Sequence, residues 1–161
     1  MLNLLSLILM VLMLTSCATD SEPNTKSTPN QCPTSTTAKI NSQSIQVNAP
    51  NPFDGLPNPG MDINGEKLTI GLLTREVGLF ELFDFNVKNL HAGSYSGEQF
   101  TLTLFKQGKT CKHDEQNSKF IIEQYDTTIG KLTGCFFGKL NCGAEIIEIN
   151  ANLSGVVSKV D

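Results

Sequence analysis

The densest group of potential metal ligands in the chain is Cys111-Lys112-His113-Asp114-Glu115, with Cys142 downstream. Thiolate, imidazole and carboxylate are the groups that bind zinc, but this spacing fits no paired Cys or His template. No metal is expected there. Asp62-Ile63-Asn64-Gly65-Glu66 hints at calcium. Its glycine stands at the fourth loop position rather than the sixth, and Asn-Gly is a hairpin signal instead. Gly93-Ser94-Tyr95-Ser96-Gly97 mimics a nucleophile elbow, yet Tyr95 occupies the nucleophile's place and no helix follows. Gly108-Lys109-Thr110 mimics the end of a phosphate loop. The first glycine of that motif would fall at Thr103, and again no helix follows, so a hairpin turn is expected. His91 and His113 lie far apart beside loop residues. A Ser-His-Asp set is assembled by the fold, so spacing alone does not exclude one. Nothing positive points to it, and both histidines read as surface titratable groups. No catalytic residue and no cofactor is expected.

The five cysteines are the remaining reactive groups, and their meaning depends on compartment. Leu4 to Leu14 is an apolar run of signal-peptide length, too short to cross a bilayer. It ends in Leu14-Thr15-Ser16-Cys17, which resembles the bacterial lipobox, although no Lys or Arg precedes the run. That resemblance implies that residues 1–16 are removed and that the Cys17 sulfur carries a diacylglycerol. Two or more acyl chains give a stable membrane anchor where one does not. Ala18 stands where an inner-membrane retention signal would place Asp, so the resemblance favours the outer membrane of the envelope.

Composition narrows the partners. The formal charge is -4 and no block of like charge appears. Nucleic acid is therefore not an expected partner, because phosphate binding needs a basic patch. Trp is absent and there are two Tyr, which leaves little for a sugar-stacking platform.

The elements that must position these groups begin late in the chain. Residues 18–37 are dominated by Pro, Ser, Thr and Asn and lack large apolar side chains. Such a segment cannot bury enough surface to offset chain entropy. Residues 17–37 are thus expected to be a lipidated, flexible tether, spanning roughly 25 Å as a coil. From Ala38 to Asp161 short apolar runs alternate with polar residues between turn signals. Ala38–Ile40, Ser44–Val47, Leu68–Leu72, Leu79–Val87, Phe100–Leu104 and Phe120–Tyr125 read as strands, and residues 51–60 as a loop rich in Pro and Gly. Leu132, Gly134, Phe136, Gly138 and Leu140 share one face, as do Ile147, Ile149, Ala151 and Leu153, with a turn at Asn141–Ala144. Many short strands at this spacing predict an all-β domain, an antiparallel β-sandwich or partly open barrel.

Export would place the other four cysteines where disulfides persist. If residues 118–125 and 131–140 form a hairpin, Cys111 and Cys142 meet at one end of it, and this is the preferred pair. Cys135, on the face opposite Phe136, could then take Cys32 and draw the end of the tether onto the sheet. Phe137 should share that outer face; exposed beside Leu73 or Phe105 it would mark a partner patch.

The order TAKIN, AGSYS, FIIEQYDTTIGKLTGCFFGKL and EIIEINANLSGV resembles a broad group of small bacterial β-rich lipoproteins, over about residues 36–156. Gly93-Ser94-Tyr95 fits their G-x-Y, and Gly134-Cys135-Phe136 their G-T-F with Cys in place of Thr. The resemblance implies the fold class and transfers no site. The expected function is a lipid-anchored, non-enzymatic binding module acting on an envelope protein or small ligand. An inhibitor or immunity-type lipoprotein is one version, and an envelope enzyme with a dispersed site is the alternative.

Overall fold

A computed structural model describes residues 31–47 and 58–160. The lipobox with Cys17, the tether up to Asn30 and residues 48–57 lie outside the described residues. Among the described residues there are twelve strands and three one-turn 3-10 helices, Val87–Asn89, Gly97–Gln99 and Glu115–Asn117. The strands are β1 (Thr37–Ile40), β2 (Gln43–Gln46), β3 (Gly60–Asn64), β4 (Lys67–Leu73), β5 (Leu79–Asn86) and β6 (Gly93–Ser96), then β7 (Thr101–Lys106), β8 (Lys109–His113), β9 (Lys119–Asp126), β10 (Lys131–Cys142), β11 (Glu145–Val156) and β12 (Ser158–Val160). The fold is all-β, as the alternation of apolar residues predicted.

The strands form one sheet ordered β12-β3-β4-β5-β7-β8-β10-β11-β1-β2, with β9 and β6 branching from β10. All pairs are antiparallel except β12 on β3. The branch curls the sheet. One edge of β10 is divided: Lys131–Phe137 pairs with β9, and Leu140–Asn141 pairs with β8. Strand β8 also pairs with β7, so it is the corner joining the two layers of a half-barrel. Tight turns fix the register. Asn41-Ser42 and Gln107-Gly108 have positive φ at both central positions, the signature of type I′ hairpins. Thus Gly108-Lys109-Thr110 is a hairpin turn and the start of β8. Gly65 also has positive φ and opens the two-residue β3–β4 turn, so the Asp62–Glu66 stretch is a hairpin too.

The inward side chains of both layers make one core. Phe80, Leu82, Phe85, Leu102 and Leu104 face Leu132, Phe136, Leu140, Ile147 and Ile149, all buried. Phe80 of β5 meets Phe136 of β10 with ring centroids 6.2 Å apart. Two glycines let the layers and strands approach. A Cβ on Gly138 would lie 2.3 Å from Leu102 Cδ2 of the opposite layer. A Cβ on Gly134 would lie 2.1 Å from the Ile121 carbonyl, where the β9–β10 ladder shifts register.

Several expectations change in detail. The turn at Asn141–Ala144 shrinks to Gly143-Ala144, because β10 runs on to Cys142 and pairs it with Glu145. The last tether residues are fixed to the sheet: Cys32 is bonded to Cys135, the Asn152 amide group donates to Pro33 O, and Asn152 N donates to Thr36 Oγ1 at 3.1 Å. Phe137 is half-buried between Asn150 and Lys119, on a different layer from Leu73 and Phe105. The apolar row across the other layer is Leu73–Leu79–Phe105, of which Phe105 is 43% exposed. Thr103, which alternates with the inward Leu102 and Leu104, is itself buried, and among the described residues its hydroxyl has no partner.

Candidate functional site

The cysteines are the first functional candidates the structure places. Cys111 and Cys142 sit directly opposite on β8 and β10, with Cα atoms 4.9 Å apart and bonded sulfurs. Their register continues that of His113 with Leu140 and Lys112 with Asn141. The bond therefore lengthens a ladder that has only two other paired positions. Cys32 and Cys135 are bonded with Cα atoms 5.5 Å apart. Cys135 is fully buried, on the outer face of β10 beside Ile121 of β9, which is also buried. Cys111–Cys142 is the pair preferred from the expected hairpin, and Cys32–Cys135 is the pair that the two remaining cysteines could form.

His113 is not a free surface group. At this residue β8 leaves β7 for β10, so Leu102 of β7 loses its next ladder partner. The imidazole takes that place: Leu102 N donates to His113 Nδ1 at 2.9 Å, and His113 Nε2 lies 3.2 Å from Gly97 O. Nδ1 also lies 3.0 Å from Leu102 O, so the ring sits against both main-chain polar groups of Leu102. The ring also stacks on Phe100, with centroids 5.6 Å apart and planes 10° apart. Both nitrogens are thus occupied by backbone, which leaves neither for proton transfer. Asp114, next in sequence, caps the Glu115–Asn117 turn. Its carboxylate accepts from Asn117 Nδ2 at 2.7 Å and from Gln116 N at 3.1 Å. The Asn117 amide is the main reason its pKa lies below the ordinary carboxylate range. Cys111, His113 and Asp114 are thereby committed to folding. Among the described residues no group of three His, Cys, Asp or Glu side chains could hold a metal.

His91 is exposed, and its ring meets Tyr95 edge-on at 5.8 Å. Tyr95 closes that loop from within the core, its hydroxyl donating between the carbonyls of Asn89 and His91. Burial raises the Tyr95 pKa, against the smaller opposing effect of the His91 contact. The Gly93–Gly97 stretch is therefore strand β6, with a structural tyrosine in it, running into the 3-10 turn that Gly97 opens. The two histidines lie on separate contacts, His113 on Leu102, Gly97 and Phe100 and His91 on Tyr95.

What remains open to solvent is a concavity of about 460 Å³ on the outer face of β11, β1 and β2. Its polar lining alternates along three strands: Thr37 and Lys39, Ser44 and Gln46, Glu148 and Asn150. Lys39 is the cross-strand neighbour of both Ser44 and Glu148, and Thr37 of both Gln46 and Asn150. All six are exposed. Hydroxyls, amides, one ammonium and one carboxylate make a surface for hydrogen bonding rather than bond breaking. Among the described residues strand β2 pairs only with β1, so its outer edge offers main-chain groups beside the same concavity. No motif in the sequence singles out these residues. Period-two alternation marks each as outward, but adjacency of the three strands comes from pairing across 100 residues or more of chain. A smaller cavity of about 270 Å³ lies over the Cys111–Cys142 bond, bordered by Lys106, Lys109 and Glu145. There Lys106 Nζ and Glu145 Oε2 form a partly buried ion pair at 2.6 Å. No model of a known protein family, no curated protein and no solved structure matches this chain.

Proposed function

We propose that this protein is a lipid-anchored component of a bacterial cell envelope, held in the outer membrane through Cys17, and that it works as a binding module rather than an enzyme. One observation carries the second half of the reading. His113 and the four cysteines of the folded part are consumed by the fold, with both His113 nitrogens on backbone and the four thiols in disulfides. The polar face of β11, β1 and β2 is left facing solvent. Loops and edges displayed on a rigid sheet are the usual binding surfaces of such folds. The lipobox spacing and the resemblance to small β-rich lipoproteins support the first half.

Attachment is tested by metabolic labelling with a fatty acid. Cys17→Ala should abolish labelling and block removal of residues 1–16; normal processing of the variant would refute the anchor. Binding is tested by a photo-crosslinker placed at Ser44 in the intact envelope. It should give a discrete adduct that Lys39→Glu weakens, and absence of any adduct at Ser44 and Gln46 alike would remove this face as the binding surface.

A further inference from the structure

Four large apolar side chains are exposed among the described residues, and Ile129 and Val156 are more exposed than Phe105 and Ile146, which lie toward the other end of the sheet. Ile129 is 59% exposed and Val156 58% exposed, and the two belong to one tip of the barrel. Ile129 lies in the β9–β10 turn. The next residue, Gly130, accepts a hydrogen bond from Val157 N at 2.9 Å, and a Cβ on Gly130 would be 3.8 Å from Val156 Cγ1. Val156 is also the cross-strand partner of Lys131. The acidic group nearest the turn, Asp126, stands opposite Lys131 in the β9–β10 ladder, and its carboxylate accepts from Thr128 N at 2.8 Å. Lys131 and the exposed Thr127 and Thr128 flank the two aliphatic side chains.

The entry path of the chain gives this tip its occupant. Reading backward from Thr37, opposite Asn150, the backbone passes Thr36 and Pro33 beside Asn152 and reaches Cys32 on Cys135. That direction runs along β11 toward Val156. Cys135 is four residues from Lys131, about 13 Å along the strand. The side chains of Lys131, Cys135 and Val156 lie on the same outer face, by the two-residue alternation of β10 and β11. Only fifteen residues, 18–32, follow Cys17 to this covalent point, so their reach is at most about 54 Å even when fully extended.

We infer that the tip carrying Ile129 and Val156 lies against the lipid surface, as a second, non-covalent membrane contact. The inference rests on the proposed lipid anchor and adds an orientation to it. Aliphatic side chains of this kind settle at the boundary of headgroups and acyl chains, where flanking Lys and Thr can stay hydrated. The opposite end of β10, with the β7–β8 hairpin and Phe105, is then turned away, because β10 is roughly 37 Å long.

The absence of Trp makes a direct test possible. Full-length acylated protein carrying Ile129→Trp, Val156→Trp or Phe105→Trp is reconstituted into phosphatidylethanolamine–phosphatidylglycerol vesicles with brominated acyl chains. Flotation is measured on the same samples. Trp at 129 and at 156 should emit to the blue of its value in detergent-free buffer and lose roughly half its intensity to the bromines, while Trp at 105 changes in neither respect. Flotation with no quenching at 129 and 156 overturns the tip contact and leaves the anchor standing. Equal quenching at all three positions overturns it too. Failure of the acylated protein to float defeats the anchor reading, and the tip contact with it. The two tip variants check one another against local misfolding, since 129 is in a turn and 156 on a strand.

Discussion

Replacing His113 isolates the role of the sheet corner. In His113→Ala, Leu102 N loses its acceptor, the contact to Gly97 O disappears and the Phe100 stack is removed. Each hydrogen bond contributes about 1 kcal/mol, and a buried donor left without an acceptor costs about 1–3 kcal/mol. The ring pair adds about 0.5–1.5 kcal/mol. His113 is half-buried, so water will replace part of what is lost. The expected destabilisation is about 2–4 kcal/mol. His113→Phe keeps a ring over Phe100 but offers no acceptor, and should cost about 1–3 kcal/mol by the first two effects alone. The assay is urea unfolding of the oxidised protein at neutral pH. For a slope near 2 kcal/mol per molar, the Ala variant's midpoint falls by about 1–2 M. A His113→Phe protein as stable as the parent would refute the argument that the imidazole substitutes for a ladder partner. An equal loss in both variants would mean that the stack contributes nothing.

Further outcomes follow from other contacts. Gly138→Ala should destabilise by about 1–3 kcal/mol through overpacking against the flexible end of Leu102, and Leu102→Val in the same chain should recover part of that loss in thermal melts. Gly134→Ala meets the Ile121 backbone carbonyl instead, so no side-chain trim should rescue it, and recovery by trimming Ile121 would count against the close approach. Removing Cys32–Cys135 by a double Ser substitution should cost about 1 kcal/mol more than removing Cys111–Cys142, from loop lengths of 103 and 31 residues in the chain-entropy account; denaturant midpoints in the reverse order would contradict it. Asp114 has a lowered folded pKa, so its contribution is present above the unfolded pKa and is lost as pH falls through the folded one. Asp114→Asn should therefore flatten the loss of stability below about pH 4, and an unchanged acid limb would rule out the cap as its source.

Much of the strand pattern was legible because burial has a period of two. Leu68, Ile70 and Leu72 alternate, as do Ile147, Ile149, Ala151 and Leu153, and all seven are buried. The Cys111–Cys142 pair was legible for a related reason: the β9–β10 hairpin carries the chain back to the end of the sheet where β9 begins, just after Cys111. The same logic failed at Phe137 and Thr103. Alternation assigned them to an outer face but could not reveal what covers that face, and both are withdrawn from solvent to different degrees. His113 was illegible in a deeper sense. Its role exists only because β8 exchanges one partner strand for another at that residue, which no local pattern encodes. The short β12 and the polar concavity share this property, since both depend on strands distant in sequence.

The place where the N-terminal chain joins the sheet also determines how a pull on it would be borne. Strand β1 has four residues and is followed by β2 at the free edge. A chain attached only through β1 could be peeled from β11 one pair at a time, starting at Thr37. The Cys32–Cys135 bond intercepts that pull before it reaches Thr37 and delivers it to β10. Strands β10 and β11 share twelve paired residues, the longest ladder in the sheet, and β10 is held on its other edge by β9 and β8. The strand's far end is tied again by Cys142 to Cys111. The two disulfides thus act on one strand from opposite sides of its length. One brings the leading chain to its middle, and the other fastens its end to the second layer.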